Sequence, residues 1–270
     1  MTNTAISQDP NKPMRGFVIC SEHRSGSTLL CQWLHSTGVL GNPLEYFART
    51  ENAIALERDA TRLDAVLNEA TTPNGVYGIK LFSQQFDGTM KAQWLQRLPN
   101  VRFIHLERRD LLGQAISLVR ARQTHQFQSY HQPLATPRYD ARAIRRQLRR
   151  LAEANGRWRV FFARNGLEVL WLTYEDMVRD PQGTIAAIAA HVGVDVTPII
   201  DPAAIRVEVQ RDDVNAAWRD RFVTEAADIG YLDHPLGKGR VWARRVARDI
   251  GFRLRRSPGD NGDSGGIGGT

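Results

Sequence analysis

The sequence predicts an α/β fold of three layers, in which a central, mostly parallel sheet is flanked by helices. Four short apolar runs, at residues 16–20, 76–82, 101–106 and 167–173, are typical of buried strands. Longer stretches with helical periodicity separate these runs, and strands joined by helical crossovers pair in parallel. With 270 residues, 42% of them hydrophobic, the chain is long enough to bury one such core.

Helical patterns cover seven stretches, at residues 27–36, 51–69, 89–98, 111–124, 139–164, 181–192 and 215–227. We predict one main domain over residues 15–235, preceded by a flexible polar N-terminus at residues 1–14. A basic C-terminal helix at residues 236–256 and a Gly- and Asp-rich disordered tail at residues 257–270 are expected to follow.

Composition restricts the surroundings in which the protein works. Cys20 and Cys31 match neither a zinc pattern nor a CxxC redox pair, which fits a reducing compartment. No signal peptide and no membrane-spanning run is recognised, so we expect a cytoplasmic protein. The net charge of +7 favours an anionic ligand, but arginines near the C-terminus contribute much of it, so nucleic acid is not expected as a partner.

The most informative segment is the loop SEHRSGST at residues 21–28, which follows the first apolar run and opens the first predicted helix. Its backbone N–H groups and the positive end of the helix dipole form a cradle for an anion. Compared with the nucleotide-triphosphatase pattern GxxxxGK[ST], Ser21 replaces the first glycine and Ser27 replaces the lysine. Because that lysine reaches the β- and γ-phosphates, its absence disfavours triphosphate chemistry.

Arg24 supplies the cation of this loop, two positions before its glycine. A phosphosulfate carries about two negative charges and a triphosphate about four, so a cradle with one arginine can stabilise transfer without a metal ion. We therefore predict a P-loop-like three-layer sandwich. The anion would be held by Arg24, Ser25, Gly26, Ser27 and Thr28. The alternative is a Ser- and Gly-rich turn that only caps its own helix.

The sequence RSGST after a strand resembles the 5′-phosphosulfate loop of sulfotransferases that use 3′-phosphoadenosine 5′-phosphosulfate (PAPS). More narrowly, the chain resembles the bacterial trehalose 2-sulfotransferase (Stf-type) family. Four segments carry the likeness: SEHRSGSTLLCQWLHSTGVLGNPLEYF, TPNGVYGIKLF, IHLERRDLLGQAISLVRARQT and VQRDDVNAAWRDRF. The resemblance implies a homodimeric sulfotransferase that moves a sulfuryl group from PAPS to a hydroxyl of a small carbohydrate or glycolipid, with trehalose as one candidate.

A second anion site is predicted at the end of the third apolar run, because ligands bind at the carboxyl ends of strands in open parallel sheets. The resemblance assigns the 3′-phosphate of PAPS to Arg108 and to Ser117 in the following helix. Arg109 stands where the family has proline, so the choice between the two arginines stays open. For both arginines the alternative is a surface ion pair with Glu107 or Asp110.

Residues 210–222 resemble the segment that closes over the nucleotide in the family. Arg211 is the candidate to reach a donor phosphate, and Trp218 is the candidate to cover the adenine. Alternatively, Trp218 anchors its own helix in the core.

The base that takes the acceptor's proton is predicted to be Glu45. Residues 41–47, GNPLEYF, match the family pattern G-x-P-x-E-[FY]-F, and the resemblance gives the role of base to its glutamate. Tyr46 and Phe47 are neighbouring candidates for acceptor binding. His23, inside the loop, is the rival base.

Two further residues have open roles. Lys80, at the end of the second apolar run, matches a family lysine and either touches donor or acceptor or is structural. His105 alternates with apolar neighbours, which favours a packed core histidine over a third candidate base.

Two other functions stay open, a P-loop-like nucleotide-binding kinase and a non-catalytic module that binds nucleotides or an anionic surface. Residues 240–256 mix arginines with apolar side chains in a partly amphipathic pattern. This pattern is compatible with two placements: a helix that packs on the domain or lies in solvent, and one that makes a peripheral contact with the inner membrane face.

Overall fold

Four parallel strands form the centre of the computed structural model. They are β1 (Arg15–Ser21), β2 (Val76–Phe82), β3 (Val101–Glu107) and β4 (Val169–Thr173), and their order across the sheet is β2-β1-β3-β4. The central strand β1 pairs Ile19 with Lys80 of β2 and with Ile104 of β3. The predicted parallel sheet is confirmed, and the strands present their carboxyl ends at one edge.

The structure describes residues 13–48, 61–89, 94–127, 132–207 and 213–225. Several predictions lie outside these ranges: those for residues 1–12, for Arg211, for the basic helix at 236–256 and for the tail at 257–270. Residues 49–60, which include the first part of the predicted helix at 51–69, also lie outside them.

Helices on both faces of the sheet account for most of the other described residues. They are α1 (Ser27–Ser36), α2 (Thr61–Ala70), α3 (Ser83–Thr89), α4 (Leu111–Thr124), α5 (Ala141–Asn165), α6 (Tyr174–Arg179), α7 (Pro181–Val192) and α8 (Asp213–Glu225). Short 3-10 turns occur at Trp94–Arg97 and Pro202–Ala204. None of the helices in the described ranges combines the length and apolar character that crossing a membrane requires.

Two helices differ from the sequence prediction. Within the predicted helix at 89–98, Trp94–Arg97 form a 3-10 turn, and residues 90–93 lie outside the described ranges. The unpredicted α3 begins directly after β2, where a carboxylate oxygen of Glu22 accepts a hydrogen bond from the Ser83 N–H (3.2 Å). The short helix α6 was not predicted, and it begins at the side-chain cap of Thr173. The hydrogen bond to the start of α3 comes from a residue distant in sequence. Helix α6 has only six residues, too few to show a recognisable period.

Alternating residues of β1 fill the two faces of the sheet. Phe17 and Ile19 belong to an apolar cluster with α1 and α7, whereas Val18 and Cys20 belong to a cluster with α2 and α5. A third cluster joins α4, α5 and α8. The three-layer α/β sandwich is therefore confirmed, and the loop after β1 lies at the centre of its ligand-binding edge.

Candidate active site

The loop between β1 and α1 presents an uncapped helix start at this edge. Arg24 and Gly26 have positive φ angles of 62° and 87°, and the Ser25 N–H donates to the Glu22 carbonyl (3.2 Å). Gly26 is the N-cap residue of α1, and no side chain caps this helix. By contrast, α4, α5, α6 and α7 begin at side-chain caps. The first N–H groups of α1 are therefore available to an anion.

Close packing requires the glycine in this loop. A Cβ atom on Gly26 would lie 2.4 Å from Cδ2 of Tyr174, the first residue of α6. A side chain at this position would displace either the ring or the loop. The loop conformation therefore depends on α6 as well as on its own sequence.

Two serine hydroxyls of the loop are buried without a hydrogen-bond partner in the described part of the chain. They belong to Ser21 and Ser25, and both residues are fully buried. Buried hydroxyls in proteins almost always have a partner. A bound oxyanion beside the loop would supply one for Ser25, which directly precedes the N-cap residue Gly26.

Arg24 joins the loop to the second predicted anion site. Its Nε donates to Oγ of Ser117 on α4 over 2.8 Å. Burial, and after it the positive charges of Arg108 and Arg120, lower the pKa of Arg24. Arg108 and Arg120 thus lie close enough to Arg24 for their charges to act on it, and Arg120 is one that the sequence interpretation missed. A group of like charges at one edge is suited to a ligand with several negative charges.

The two consecutive arginines after β3 have different surroundings. The guanidinium of Arg109 makes two hydrogen bonds to the carboxylate of Asp176, at 2.9 and 3.0 Å. Arg108 instead lies over the ring of Tyr174, 4.9 Å from its centroid, and its distance to Asp110 is a longer 3.7 Å. Its buried Nε has no hydrogen-bond partner among the described residues. Arg108, rather than Arg109, therefore faces the phosphate loop.

Glu45 lies at the same edge, on the other side of the loop. One carboxylate oxygen is 2.7 Å from Nζ of Lys80, and the other accepts a hydrogen bond from Gln85 (3.3 Å). Lys80 also donates to Oγ1 of Thr28 in the first turn of α1 (3.2 Å). The predicted base, the family lysine and the phosphate loop are thus in direct contact.

The segment before Glu45 runs alongside β2, which explains how the carboxylate arrives there. Leu44 forms a parallel bridge with Ile79, and its carbonyl accepts a hydrogen bond from the Lys80 N–H (3.0 Å). A Cβ on Gly41 would lie 2.5 Å from the backbone nitrogen of Gly78, so the two backbones touch. The G-x-P-x-E pattern is therefore a short backbone track that carries Glu45 to the end of β2.

A family model described as Stf0 sulphotransferase matches residues 16–225, which is most of the chain. The chain belongs to the Stf0 sulphotransferase family. The trehalose 2-sulfotransferase of Mycobacterium tuberculosis (strain ATCC 35801 / TMC 107 / Erdman) is 27% identical over 268 residues, which cover 82% of this chain and 98% of that protein. The trehalose 2-sulfotransferase of Mycolicibacterium smegmatis is 26% identical over 262 residues, with 79% and 96% covered.

Among solved structures, the chain is similar to a sulfotransferase domain from the curacin biosynthetic pathway. The TM-score is 0.44 at 17% identity, and the match covers 89% of this chain and 98% of that domain. The resemblance drawn from the sequence motifs to the Stf-type family is confirmed by the family model. No group of three or more His, Cys, Asp or Glu side chains within the described ranges is placed to hold a metal ion.

The two residues after Glu45 in this sulfotransferase have buried side chains. Tyr46 and Phe47 belong to the apolar cluster beneath β2, and the Tyr46 hydroxyl donates to the carbonyl of Asn42 (2.7 Å). Their packing fixes the turn that carries Glu45. Their assignment to acceptor binding stays a prediction.

The candidate histidines lie in different environments. The ring of His23 packs 4.1 Å from the ring of Phe82, and burial is the main cause that lowers its pKa. His105 is fully buried within β3 and stacks on Trp171, and burial lowers its pKa to about 4. His23 therefore lies at the edge near Glu45, whereas His105 is a core residue, as its apolar neighbours predict.

Glu22 is a residue of the site that sequence reasoning missed. Its side chain is buried, and Oε1 accepts hydrogen bonds from the Ser83 N–H and from Nε1 of Trp158, both at 3.2 Å. Burial raises the pKa of this carboxyl. Glu22 thereby fastens the phosphate loop to α3 and α5. Its place directly after a buried strand was the available signal.

Trp218 packs with α4 and α5 rather than at the open edge. Its indole is buried and meets the ring of Tyr139 edge-on at 5.7 Å. This packing agrees with the alternative in which Trp218 anchors its helix. The contact of Trp218 with adenine stays a prediction.

Proposed function

We propose that this sulfotransferase moves a sulfuryl group from PAPS to a hydroxyl of a small carbohydrate, with trehalose as the first candidate acceptor. One observation carries the proposal: Thr28 of the phosphate loop contacts Lys80, and Lys80 contacts Glu45. A candidate base therefore stands beside the helix start that would hold the donor's reacting group. The carbohydrate class rests on the two relatives, which are named trehalose 2-sulfotransferases.

The donor would use both anion sites of the edge. The 5′-phosphosulfate would accept hydrogen bonds from the first N–H groups of α1 and from the unpartnered hydroxyl of Ser25. Arg108 and Ser117 would bind the 3′-phosphate, with Arg24 between the two anions. A nucleotide with phosphates at both ends would fill both sites, whereas ATP carries all of its phosphates at one end.

The proposed reaction is a direct in-line displacement at sulfur. The acceptor oxygen forms a bond to sulfur as its proton passes to the carboxylate of Glu45. The bond between sulfur and the bridging phosphate oxygen breaks, and its electron pair leaves with 3′-phosphoadenosine 5′-phosphate (PAP). Arg24 and the loop N–H groups stabilise the charge that develops on this oxygen. Lys80 holds the carboxylate in place.

Calorimetry with PAP and with ATP–Mg²⁺ tests the donor. We expect PAP to bind and ATP–Mg²⁺ to bind far more weakly. Incubation with PAPS and a panel of sugars that includes trehalose should then give a product heavier by one sulfate. A protein that binds ATP–Mg²⁺ but not PAP would be a nucleotide-binding protein of another kind, and one that binds PAP without any transfer would be a non-catalytic module.

Substitution of the two candidate bases tests the mechanism. Glu45→Gln should bind PAP with unchanged affinity and transfer sulfate about 10² to 10⁴ times more slowly, the usual contribution of a general base. His23→Gln should transfer within a few-fold of the wild-type rate. The reverse pattern would assign the proton transfer to His23.

A further inference from the structure

A cavity of about 260 Å³ adjoins the proposed reaction centre on the side of α4 and α5. One side of it is formed by the loop after β1 and the start of α3, where His23, Ser83 and Gln84 line it. Its walls come from the other two helices and include Arg122, Gln147 and Arg150. This volume suits a small group such as a sugar with a single substituent.

The reacting groups and this cavity share a wall. His23 lines the cavity, and Glu45 and Lys80 are close enough to His23 to affect its pKa, although burial is the larger cause. Consecutive residues of α3 contact the cavity and the candidate base. Nε2 of Gln84 lies 3.5 Å from Nε2 of His23, and Gln85 donates a hydrogen bond to Glu45. A ligand in the cavity would therefore lie next to an acceptor hydroxyl at Glu45.

The rim of the cavity is positively charged. Neither Arg122 nor Arg150 makes an ion pair or side-chain hydrogen bond with another described residue. Partial burial, and then the charges of Arg150 and Arg146, lower the pKa of Arg122. Of the other charged lining groups, Arg157 is paired with Asp87, and Glu153 is the exposed carboxylate nearby. Arg122 and Arg150 thus have no ion-pair partner among the described residues, although Glu153 lines the same cavity.

The cavity is also lined by a side-chain amide, that of Gln147. Gln147 is only 4% exposed, lines the cavity, and makes no side-chain hydrogen bond to a described residue. Its amide atoms are not among the fully enclosed ones, so a ligand or water in the cavity can supply their hydrogen bonds. Its amide can donate to an anionic oxygen or accept from a sugar hydroxyl. Glu22, the other acid that lines the cavity, already accepts two hydrogen bonds.

We propose that this cavity binds an anionic substituent of the acceptor, a phosphate or a carboxylate, through Arg122 and Arg150 with Gln147 beneath them. The inference rests on the proposed function and narrows its acceptor class from small carbohydrates in general to those with a negative charge, such as a sugar phosphate in place of neutral trehalose. Guanidinium groups are suited to this task because their paired N–H groups match two oxygens of a phosphate or carboxylate.

The experiment uses the full chain saturated with PAP, so that both donor anion sites are occupied. Calorimetry then compares trehalose with trehalose 6-phosphate, and glucose with glucose 6-phosphate and glucuronate. We expect at least one anionic sugar to bind roughly tenfold more tightly than its neutral parent, the gain typical of a hydrogen bond to a charged group. The same preference should appear in kcat/KM for transfer from PAPS.

Three variants locate the preference. Arg122→Gln and Arg150→Gln should each remove most of the preference for anionic sugars. Arg142→Gln should keep this preference, because Arg142 is an exposed arginine of α5 that does not line the cavity. PAP affinity should be equal in all of them. The inference would be overturned if neutral and anionic sugars bound equally, or if neither bound. It would also be overturned if Arg122→Gln lost PAP affinity, because the cavity would then belong to the donor site. Failure of the wild-type protein to bind PAP would instead contradict the proposed function.

Discussion

The ammonium of Lys80 lies 2.7 Å from Oε1 of Glu45, at the point where β2 ends beside the phosphate loop. The lysine side chain is 5% exposed and the glutamate side chain 30% exposed, so the cation depends on this partner more than the anion does. A buried charge is tolerated only when it is paired. Because Lys80 also donates to Thr28, the ion pair fixes the carboxylate relative to the first turn of α1.

Replacement of Lys80 by Met should weaken both the fold and the reaction. The Glu45 carboxylate loses its cation but stays partly hydrated, so we expect a loss of about 2 kcal/mol in the free energy of unfolding, below the range for fully buried pairs. Transfer should slow because the carboxylate is no longer held. Urea denaturation and the rate of sulfate transfer measure the two effects.

An exposed ion pair of the same sheet provides the control for Lys80. Arg102 on β3 pairs with Glu168, and both side chains are at least half exposed. Arg102→Met should therefore cost less than about 1 kcal/mol and leave transfer unchanged. Equal losses in the two variants would contradict a special role for the Lys80 pair.

The two arginines after β3 give a matched test of the 3′-phosphate site. Arg108→Ala should weaken PAP binding about tenfold or more, because a charge-assisted hydrogen bond to phosphate is lost. Arg109→Ala should leave PAP affinity unchanged, since its guanidinium is engaged with Asp176. Calorimetry on both variants decides between them, and a larger effect in Arg109→Ala would reverse the assignment.

The fold was predictable wherever one segment contains its own signal. Buried parallel strands are continuous apolar runs, and 76–82 was recognised with the bounds of β2. Helix α4 was predicted with its observed bounds because Asp110 caps it locally. Helix α3 was missed because its seven residues show too little periodicity, and the Ser83 N–H at its start bonds to Glu22, more than sixty positions earlier in the chain.

The site was predictable in its backbone and less so in its side chains. The loop motif and the G-x-P-x-E pattern determine local backbone paths, so the position of Arg24 and Glu45 at this edge could be predicted. Proximity between segments is decided by packing, and this is why Arg120 was missed. The choice between Arg108 and Arg109 was left open because it depends on where α6 places Asp176 and Tyr174.

A pair of glycine substitutions separates strain from function in the phosphate loop. Gly26→Ala puts a Cβ 2.4 Å from the Tyr174 ring at a φ of 87°, so the loop must shift. PAP affinity should then fall at least tenfold, which corresponds to the loss of one hydrogen bond to phosphate. Gly38→Ala has a similar φ of 67° with nothing within 4 Å. It should cost about 1 kcal/mol of stability and leave PAP affinity unchanged. Equal PAP affinities in the two variants would remove the loop from donor binding.

The buried carboxyl of Glu22 should make the stability of the protein depend on pH. Burial raises its pKa above the ordinary 4.5, despite hydrogen bonds from Ser83 and Trp158 that favour the charged form. The folded state therefore binds the proton more tightly than the unfolded state does, and this stabilisation is lost as pH rises from about 4.5 through the folded pKa. Glu22→Gln keeps an oxygen acceptor but cannot ionise.

Urea denaturation of Glu22→Gln and of the wild type over this pH range measures the effect. The stability of the variant relative to the wild type should increase as pH rises, because only the wild type must bury a charge. Glu168→Gln changes a carboxylate that is 76% exposed, so its difference from the wild type should stay nearly constant with pH. If the difference for Glu22→Gln is also constant, the hydrogen bonds from Ser83 and Trp158 compensate fully for burial, and the carboxylate is charged in the folded protein.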